Sequence, residues 1–479
     1  MKLTYRARVA DHAPEEVFAW HERPGALERL TPPWGDARVV RRQGGIRDGA
    51  EIELEVHVGP TSFRWHLRHR DYIEGRQFSD EQVSGPMKRW QHTHRFLSHE
   101  DGGTLLEDEI DMEPPLGFAG QAVVPSMVEG ELDRLFAFRH RRISTDLARH
   151  AEHRDRPRLT VAITGASGLV GINLQHFLTT GGHRVIRLVR SREAVGSDDI
   201  YWSPSTGEID REGLARADAV VHLAGAPIAP GRWTDERKRA ILQSRVQGTE
   251  LLARTLAEMS DGPKTLISAS AVGFYGDRGA ETLKEGANSG KGFLAEVCRA
   301  WEVATRPAEE AGVRVVRLRT GVVLSPDGGV LGEMLTPFKL GAGGRLGSGK
   351  QYMSWIDLDD QLALILHLLY DRNASGPVNA TAPHPVTNAT FTSTLGRVLG
   401  RPTLIPIPAF AVKAAFGEMG EEVLLAGQRV IPGKALDLGF RFDYEGLEDS
   451  LRFELGKIEG GPSAERGDSA TRPGSSQSH

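Results

Sequence analysis

The stretch Leu159–Arg190, LTVAITGASGLVGINLQHFLTTGGHRVIRLVR, decides the fold of the larger part of this 479-residue chain. A short apolar run comes first, the glycine-rich segment TGASGLVG (Thr164–Gly171) follows it, and helical periodicity leads to a second apolar run. This order predicts a strand, a tight turn, a helix and a parallel strand. The same alternation continues to about Leu451, which indicates a doubly wound parallel sheet with helices on both faces.

Three glycines in this stretch indicate a dinucleotide ligand. Gly165, Gly168 and Gly171 follow a predicted strand and open a predicted helix, which is the context that gives the spacing its meaning. Without Cβ atoms they permit a tight turn, close approach of the backbone to a pyrophosphate, and close packing of the helix. The helix N-terminus supplies N–H groups and the positive end of a dipole. A purely structural glycine turn is the alternative.

The end of the second strand favours NADP(H). Arg190 lies 19 positions after Gly171, where a protein that prefers NAD places an acid for the ribose 2′-hydroxyl. A guanidinium instead meets a 2′-phosphate through a forked, charged contact, and Arg192 stands close by in the sequence. A solvated arginine at a strand end is the alternative.

The TGxxGxxG spacing resembles the extended short-chain dehydrogenase/reductase superfamily, which has the Rossmann fold. DAVVHLAG (Asp218–Gly225), SRVQGTELL (Ser244–Leu252) and LISASAVGFYG (Leu266–Gly276) resemble its fourth strand, the following helix and its serine-bearing fifth strand. The glycine segment, the end of the second strand and the end of the fourth strand are therefore the predicted cofactor contacts: Gly165, Ser167, Gly168, Leu169, Val170, Gly171, Arg190, Leu223, Ala224 and Gly225.

Longer phrases resemble one subfamily, the atypical epimerase-like proteins of NAD-dependent epimerase/dehydratase type. These phrases are GRWTDERK (231–238), SAVGFYGDRG (270–279), FLAEVCRAWE (293–302), RTGVVLS (319–325) and GSGKQYMSWI (347–356). The region from Pro402 to Phe442 resembles the subfamily's small C-terminal domain of unknown function, so a C-terminal lobe is expected at about 400–451. The resemblance implies redox chemistry on a small hydroxyl or carbonyl compound.

The superfamily's proton donor is missing from the sequence. Its members use a tyrosine acid/base, a lysine four residues later that lowers the tyrosine pKa, and a serine that polarises the carbonyl. None of the 7 tyrosines has a lysine at that spacing, and FLAEVC puts Phe293 or Leu294 in the tyrosine position. Ser270 matches the serine and Tyr275 follows it, so these two are the predicted catalytic residues. A turn hydroxyl and simple packing are the alternatives.

Composition excludes several classes of protein. With 59 Lys+Arg against 64 Asp+Glu the net charge is −5, so no basic field marks the chain for nucleic acid. The single cysteine, Cys298, excludes an intramolecular disulfide framework and sites built from several thiolates, and a buried helical thiol is favoured over a nucleophile. No secretory core and no apolar run of ~18 residues is found, which predicts no membrane span and a cytosolic location.

The first 150 residues indicate a different, α+β fold. Asp11 and Pro14 are expected to begin an early helix, and residues 127–150 have the spacing of a long amphipathic helix. Between them apolar and polar residues alternate, which predicts antiparallel strands over 50–58, 63–73, 89–97 and 104–113. This order resembles the helix-grip, START-like superfamily called SRPBCC. The resemblance implies a lipophilic ligand between sheet and helix, and a cavity filled by side chains is the alternative.

Polar segments divide the chain. Residues 151–158 predict a linker between domains at 1–150 and 159–458, and residues 459–479 predict a disordered tail.

Two further patterns are discounted. GRLGSGK is followed by Gln351 in place of the Ser/Thr that holds magnesium in a nucleotide-triphosphate loop, and is interpreted as a substrate-side loop. His92 and His94 share a strand face without an acidic partner at ligand spacing, so no metal site is predicted.

These observations favour an NADP(H)-binding, epimerase/dehydratase-like oxidoreductase with a small-molecule substrate, fused to an N-terminal module for a lipophilic ligand. Because the Tyr-x-x-x-Lys motif is absent, a non-catalytic NADP(H)-binding sensor or scaffold is the alternative.

Overall fold

A computed structural model describes residues 1–35, 37–58, 61–114, 124–229, 231–458 and 465–466. The chain divides into two compact units, Met1–Glu152 with Ile458–His479, and His153–Lys457. Within the described ranges, no helix is both long enough and apolar enough to cross a membrane. The predicted tail over 459–479 lies outside the described residues except for Glu465–Arg466, which pair with the first strand.

The N-terminal unit is an antiparallel sheet with a long helix. Its strands are β1 (Lys2–Val9), β2 (Ala37–Gln43), β3 (Glu51–Val58), β4 (Thr61–Ile73), β5 (Gln77–Ser84), β6 (Arg89–Ser98) and β7 (Thr104–Glu113). Its helices are α1 (Pro14–Glu22), α2 (Ala26–Leu30) and α3 (Val124–Ala151). The described strands run in the order β2-β3-β4-β5-β6-β7-β1. This architecture agrees with the predicted helix-grip fold.

Two details of this unit differ from the sequence prediction. The pattern missed β2 and β5, whose sequences ARVVRRQ and QFSDEQVS carry too few alternating apolar residues to stand out. The expected helix cap was wrong, because Asp11 has a left-handed φ of 60° and the residue before α1 is Ala13, which has no capping oxygen. Pro14 does begin the helix, since its fixed φ suits a first turn.

The second unit is a parallel sheet between helices. Its strands are β8 (Thr160–Thr164), β9 (Arg184–Val189), β10 (Ile200–Ser203), β11 (Glu208–Ile209), β12 (Ala219–His222), β13 (Thr265–Ala271), β14 (Thr282–Leu283), β15 (Arg314–Thr320), β16 (Val322–Leu324), β17 (Tyr352–Met353), β18 (Trp355–Asp357), β19 (Gly376–Ala380), β20 (Val386–Thr387) and β21 (Arg429–Val430). Its helices are α4 (Leu169–Thr180), α5 (Arg211–Leu214), α6 (Asp235–Glu258), α7 (Phe293–Val303), α8 (Arg306–Glu310), α9 (Gly329–Lys339), α10 (Leu358–Tyr370), α11 (Asn388–Leu399), α12 (Ala409–Phe416), α13 (Gly433–Asp437) and α14 (Leu447–Glu454).

Burial explains why the three central residues of β8 are all apolar. Val161 and Ile163 face one apolar cluster with α4 and α10, whereas Ala162 faces another with α6, and all three side chains are fully buried. A strand covered on both faces has no reason to alternate. The predicted Rossmann class is therefore confirmed.

The strand order positions the site. The described strands of the main sheet run β11-β10-β9-β8-β12-β13-β15-β19, and the chain crosses from one side of β8 to the other between β10 and β12. In open α/β sheets, ligands bind at the carboxyl ends of the strands where the order reverses. Here the crevice lies between the ends of β8 and β12, which are hydrogen-bonded neighbours.

Candidate functional site

The loop after β8 is shaped by glycines that no other residue could replace without a clash. Gly165 has a φ of 67°, and a Cβ there would lie 2.8 Å from the backbone carbonyl carbon of Leu223. A Cβ at Gly171 would lie 2.2 Å from the backbone oxygen of Gly165, within van der Waals distance. Gly165 thus lets the loop touch the end of β12, and Gly171 lets α4 touch the loop.

The same loop presents backbone rather than side chains to the crevice. Ser167 and Gly168 are exposed, and Leu169 and Val170 are half-buried at the start of α4. The first N–H groups of a helix have no intrahelical acceptor, and the first turn of α4 contains no acid to compete for them. This end of α4 therefore suits a phosphate.

A buried threonine joins the loop to β12. The Thr164 hydroxyl accepts hydrogen bonds from the backbone N–H groups of Leu223 (3.1 Å) and Ala224 (3.2 Å), and lies 2.7 Å from Nδ1 of His222. Nε2 of His222 lies 2.9 Å from the Thr249 hydroxyl on α6. Burial lowers the pKa of His222 to about 3, so its imidazole is neutral. The sequence pattern did not reveal this chain of contacts.

The segment after β12 is held by α6. The backbone N–H of Ala226 donates to the Ser244 hydroxyl (3.0 Å), and Nη1 of Arg245 donates to the Ala226 carbonyl (3.0 Å). Gly225 is exposed beside this pair, and a Cβ there would lie 3.2 Å from Cζ of Arg245. Arg245 helps to shape the site by holding the segment after β12. The sequence pattern identified the phrase SRVQGTELL, which contains Arg245, but not this residue.

The two arginines near the end of β9 have different surroundings. Arg192 forms an ion pair of 2.7 Å with Glu208, and its guanidinium lies 3.9 Å from the ring centre of Tyr201. Arg190 is exposed at the end of β9, and among the described residues it makes no hydrogen bond or ion pair. Of the two arginines predicted to meet one phosphate, Arg192 is thus already paired, and only Arg190 keeps that predicted role.

The predicted catalytic serine lies in a buried polar network. Ser270 is 4% exposed near the end of β13, and its hydroxyl donates to Oε1 of Glu302 at 2.8 Å. Arg319 on β15 holds the same carboxylate with two hydrogen bonds of 2.8 Å. Glu302 is therefore the ion-pair partner of Arg319 and also accepts from Ser270, so its carboxylate is not an unpaired base.

Tyr275 belongs to the same network. Its hydroxyl accepts from Nη1 of Arg319 (3.0 Å) and donates to Oδ1 of Asn379 (2.7 Å), and its side chain is fully buried. Burial raises the pKa of Tyr275, although the Arg319 charge opposes that rise. The phenol thus already donates its proton to Asn379 and accepts a hydrogen bond from Arg319. The geometry therefore supports a positioning role more directly than proton transfer.

No proton donor stands at the family's tyrosine position. Phe293 and Leu294 begin α7, and their backbone N–H groups donate to the two carboxylate oxygens of Glu422 at 2.8 and 2.9 Å. Nζ of Lys238 lies 4.8 Å from the Phe293 ring centre and forms a 2.7 Å ion pair with Glu418. Neither Phe293 nor Leu294 can exchange a proton at this position, and the lysine beside the Phe293 ring is already paired with Glu418.

Two further expectations can be checked. Cys298 is buried and unpaired, and burial raises the pKa of its thiol to about 11, which agrees with the buried helical cysteine favoured over a nucleophile. GRLGSGK lies between α9 and β17 rather than between a strand and a helix, and Gln351 donates to the carbonyls of Leu346 and Leu424. The nucleotide-triphosphate interpretation was therefore rightly discounted.

The reason given against a metal site was wrong. Sheet register places Asp80 opposite His92 and Asp108 opposite His94, so both histidines have acidic neighbours that their own strand does not supply. The signal lay in the strand pairing, which the sequence pattern did not define.

Comparison with known proteins follows the same division of the chain. Residues 161–380 match the NAD dependent epimerase/dehydratase family, and residues 407–454 match a domain of unknown function, DUF1731. An epimerase family protein of Mycobacterium bovis is 47% identical over 293 residues, 61% of this chain and 96% of that protein. The chain belongs to the epimerase family.

Residues 10–138 match the family of polyketide cyclase/dehydrase and lipid transport proteins, which confirms the resemblance of the N-terminal unit to SRPBCC proteins. A solved nucleoside-diphosphate sugar epimerase from Corynebacterium glutamicum is 36% identical with a TM-score of 0.78, over 95% of this chain and 90% of its own. Human epimerase family protein SDR39U1 (isoform 2), solved with NADPH, is 32% identical with a TM-score of 0.57, over 62% of this chain and 100% of its own. The Corynebacterium glutamicum protein thus covers both units of this chain, whereas the human protein covers 62% of it.

Proposed function

We propose that this epimerase-family protein binds NADP(H) and uses it in a redox conversion of a small hydroxyl or carbonyl compound. The observation that carries the proposal is the glycine loop, whose exposed backbone lies where the strand order reverses. Arg190, which has no partner among the residues that the structure describes, lies at the end of the neighbouring strand. The human relative solved with NADPH supports the same choice of cofactor.

Each part of the site has a task in this proposal. The predicted contacts Gly165 to Gly171 approach the pyrophosphate, and Leu223 to Gly225 line the far side of the crevice. Arg190 meets the 2′-phosphate. The nicotinamide supplies or accepts the hydride when bound. Ser270 and Tyr275 stay the predicted catalytic pair, and their burial favours a role in positioning the loop Val272–Tyr275 beside the substrate.

Cofactor choice is tested by charge reversal. We expect Arg190→Asp to weaken NADPH binding at least about tenfold more than NADH binding, because the variant repels a 2′-phosphate. Arg192→Asp is the matched control and should change the ratio less, since Glu208 already engages that guanidinium. Isothermal titration with both nucleotides measures the ratio, and an equal loss of both would remove Arg190 from this role.

A sensor or scaffold remains the second candidate, and a specific observation favours it. Phe293 or Leu294 takes the proton donor's place in the sequence, and Tyr275 is fully buried. The two functions separate when NADPH absorbance is followed across a panel of carbonyl compounds. Turnover whose kcat falls in Ser270→Ala, with NADPH affinity unchanged, supports the enzyme. Tight NADPH binding without turnover supports the sensor.

The lipophilic ligand of the N-terminal unit also stays a proposal. Its support is the match to polyketide cyclase/dehydrase and lipid transport proteins and the two apolar clusters inside the unit. Binding of a fluorescent fatty acid, lost on filling the interior with Leu132→Trp, would test it. Unchanged probe binding in that variant would place the ligand elsewhere.

A further inference from the structure

A cluster of buried acidic and imidazole groups lies inside the N-terminal unit. Asp80 on β5 and His92 and His94 on β6 are 9%, 4% and 9% exposed. Oδ2 of Asp80 lies 3.4 Å from Nδ1 of His92 and 3.9 Å from Nε2 of His94. One ligand atom from each residue lies within 4.8 Å of the other two.

We propose that Asp80, His92 and His94 bind a divalent transition metal ion, with Zn²⁺ as the reference ion. Bonds of ~2.0–2.2 Å in a tetrahedral site hold ligand atoms about 3.4 Å apart. Oδ2 of Asp80 already has that separation from Nδ1 of His92. Its 3.9 Å separation from Nε2 of His94 must shorten on binding, and the two imidazole nitrogens lie within 4.8 Å of each other. Two imidazoles and one carboxylate form a ligand set typical of catalytic zinc and non-haem iron sites, which keep a position open for water or an oxygen ligand.

Asp108 on β7 lies beside both imidazoles. Its Oδ1 lies 3.1 Å from Nε2 of His92 and 2.6 Å from Nδ1 of His94, the ring nitrogens that do not face Asp80. Metal-binding histidines almost always donate their second N–H to a carboxylate or carbonyl, which sets the tautomer and the ring orientation. Asp108 performs this task for His92 through a hydrogen bond and lies directly beside Nδ1 of His94.

The ligand carboxylate is oriented as well. Nε1 of Trp90 donates to Oδ1 of Asp80 at 3.1 Å, which leaves Oδ2 directed to the two imidazoles. On the opposite side, Nε2 of His140 on α3 lies 3.0 Å from Oδ2 of Asp108. Hydrogen bonds therefore fix the directions of the Asp80 carboxylate and the His92 imidazole, and Asp108 itself is held by His140.

A proton is the competing occupant of this site. With a proton on each nitrogen, His92 is an imidazolium hydrogen-bonded to both Asp80 and Asp108, whose charges Arg139 also balances. A metal ion must displace that proton, since it binds the neutral imidazole. The experiment must therefore distinguish a metal ion from a proton.

Cobalt(II) is the probe, because histidine-bound Co²⁺ absorbs visible light. The full chain, dialysed against a chelator, is titrated with Co²⁺ and then with Zn²⁺ near pH 7.5. We expect one Co²⁺ per chain, displaced by Zn²⁺, with protons released into a weakly buffered solution. Asp80→Asn and His94→Gln should each weaken Co²⁺ binding at least about tenfold.

The matched control is His66→Gln. His66 lies on β4 of the same sheet, half-exposed, with Glu51 at 3.2 Å, so it has a carboxylate neighbour but no second imidazole in that pair. Its variant should bind Co²⁺ as the parent does. Circular dichroism checks that each variant is folded. Absence of Co²⁺ absorbance in the parent chain overturns the proposal without any variant, and so does undiminished binding in a folded Asp80→Asn.

Discussion

The two polar sites of this protein are built in opposite ways. The crevice at the glycine loop is made of backbone at the ends of β8 and β12, and its glycines matter because they lack side chains. The cluster of Asp80, His92 and His94 is made of side chains from neighbouring strands and is held by Asp108. A site made of backbone should be damaged when a substitution adds atoms. A site made of buried charged side chains should be damaged when a substitution removes one charge or when the pH changes.

The largest expected effect is the loss of a buried carboxylate. Asp108 is 2% exposed and lies beside the imidazoles of His92, His94 and His140. Asp108→Asn, measured in chelator, should lower the free energy of unfolding of the N-terminal unit by about 3–5 kcal/mol, because a buried charge loses its partner. Urea unfolding followed by hydrogen exchange in β6 and β7 peptides measures it.

Asp111→Asn is the control on the same strand. Asp111 pairs with Arg89 at the surface, with side chains 34% and 52% exposed, so this substitution should cost at most about 1 kcal/mol. Similar losses in both variants would show that the cluster is not an electrostatic unit.

The second effect is a loss of stability in alkali. Burial opposes charge on His92, but the hydrogen bonds and charges of Asp108 and Asp80 outweigh it and raise the pKa of His92 to about 9. The stabilisation is fully present below the unfolded pKa of ~6.5 and is lost as pH rises through about 9, by up to about 3 kcal/mol. The N-terminal unit of the chelated protein should therefore unfold at lower urea at pH 9 than at pH 6.5.

His92→Gln should remove this alkaline slope, because no proton remains to be lost. The glycine crevice supplies the contrast: burial lowers the pKa of His222 to about 3, so its neutral imidazole loses no proton between pH 6.5 and 9. A slope that persists in His92→Gln would assign the titration to another group.

The third effect tests the backbone site by adding one carbon. The new methyl in Gly171→Ala would lie 2.2 Å from the backbone oxygen of Gly165, so the loop and α4 must separate. We expect a loss of about 1–3 kcal/mol in stability of the second unit together with loss of NADPH binding. Gly286→Ala is the control, since nothing lies within 4 Å of a Cβ there. Retained NADPH affinity in Gly171→Ala would refute the close packing assigned to this glycine.

The backbone site could be predicted from the sequence, and the side-chain cluster could not. The Rossmann unit was predicted because glycine positions and the apolar run of β8 are features of adjacent residues. The strands β2 and β5 were missed, and with β5 the pairing of Asp80 with His92. Within the second unit, the contacts among Thr164, His222 and Thr249 were also beyond the pattern, because they join residues far apart in the chain.

The sequence by itself determined that an epimerase-family dinucleotide fold follows an SRPBCC-like unit along this chain and that the usual tyrosine and lysine are absent. It also predicted Arg190 as the contact of the cofactor's 2′-phosphate. These properties belong to residue types at fixed spacings, and local chain geometry turns them directly into structure. Only the tertiary structure decided that Glu208 pairs with Arg192 and leaves Arg190 free of described partners, and that Asp80 and Asp108 flank His92. Charge pairing acts over a few ångströms of space, and strand register rather than sequence distance sets which charges come that close.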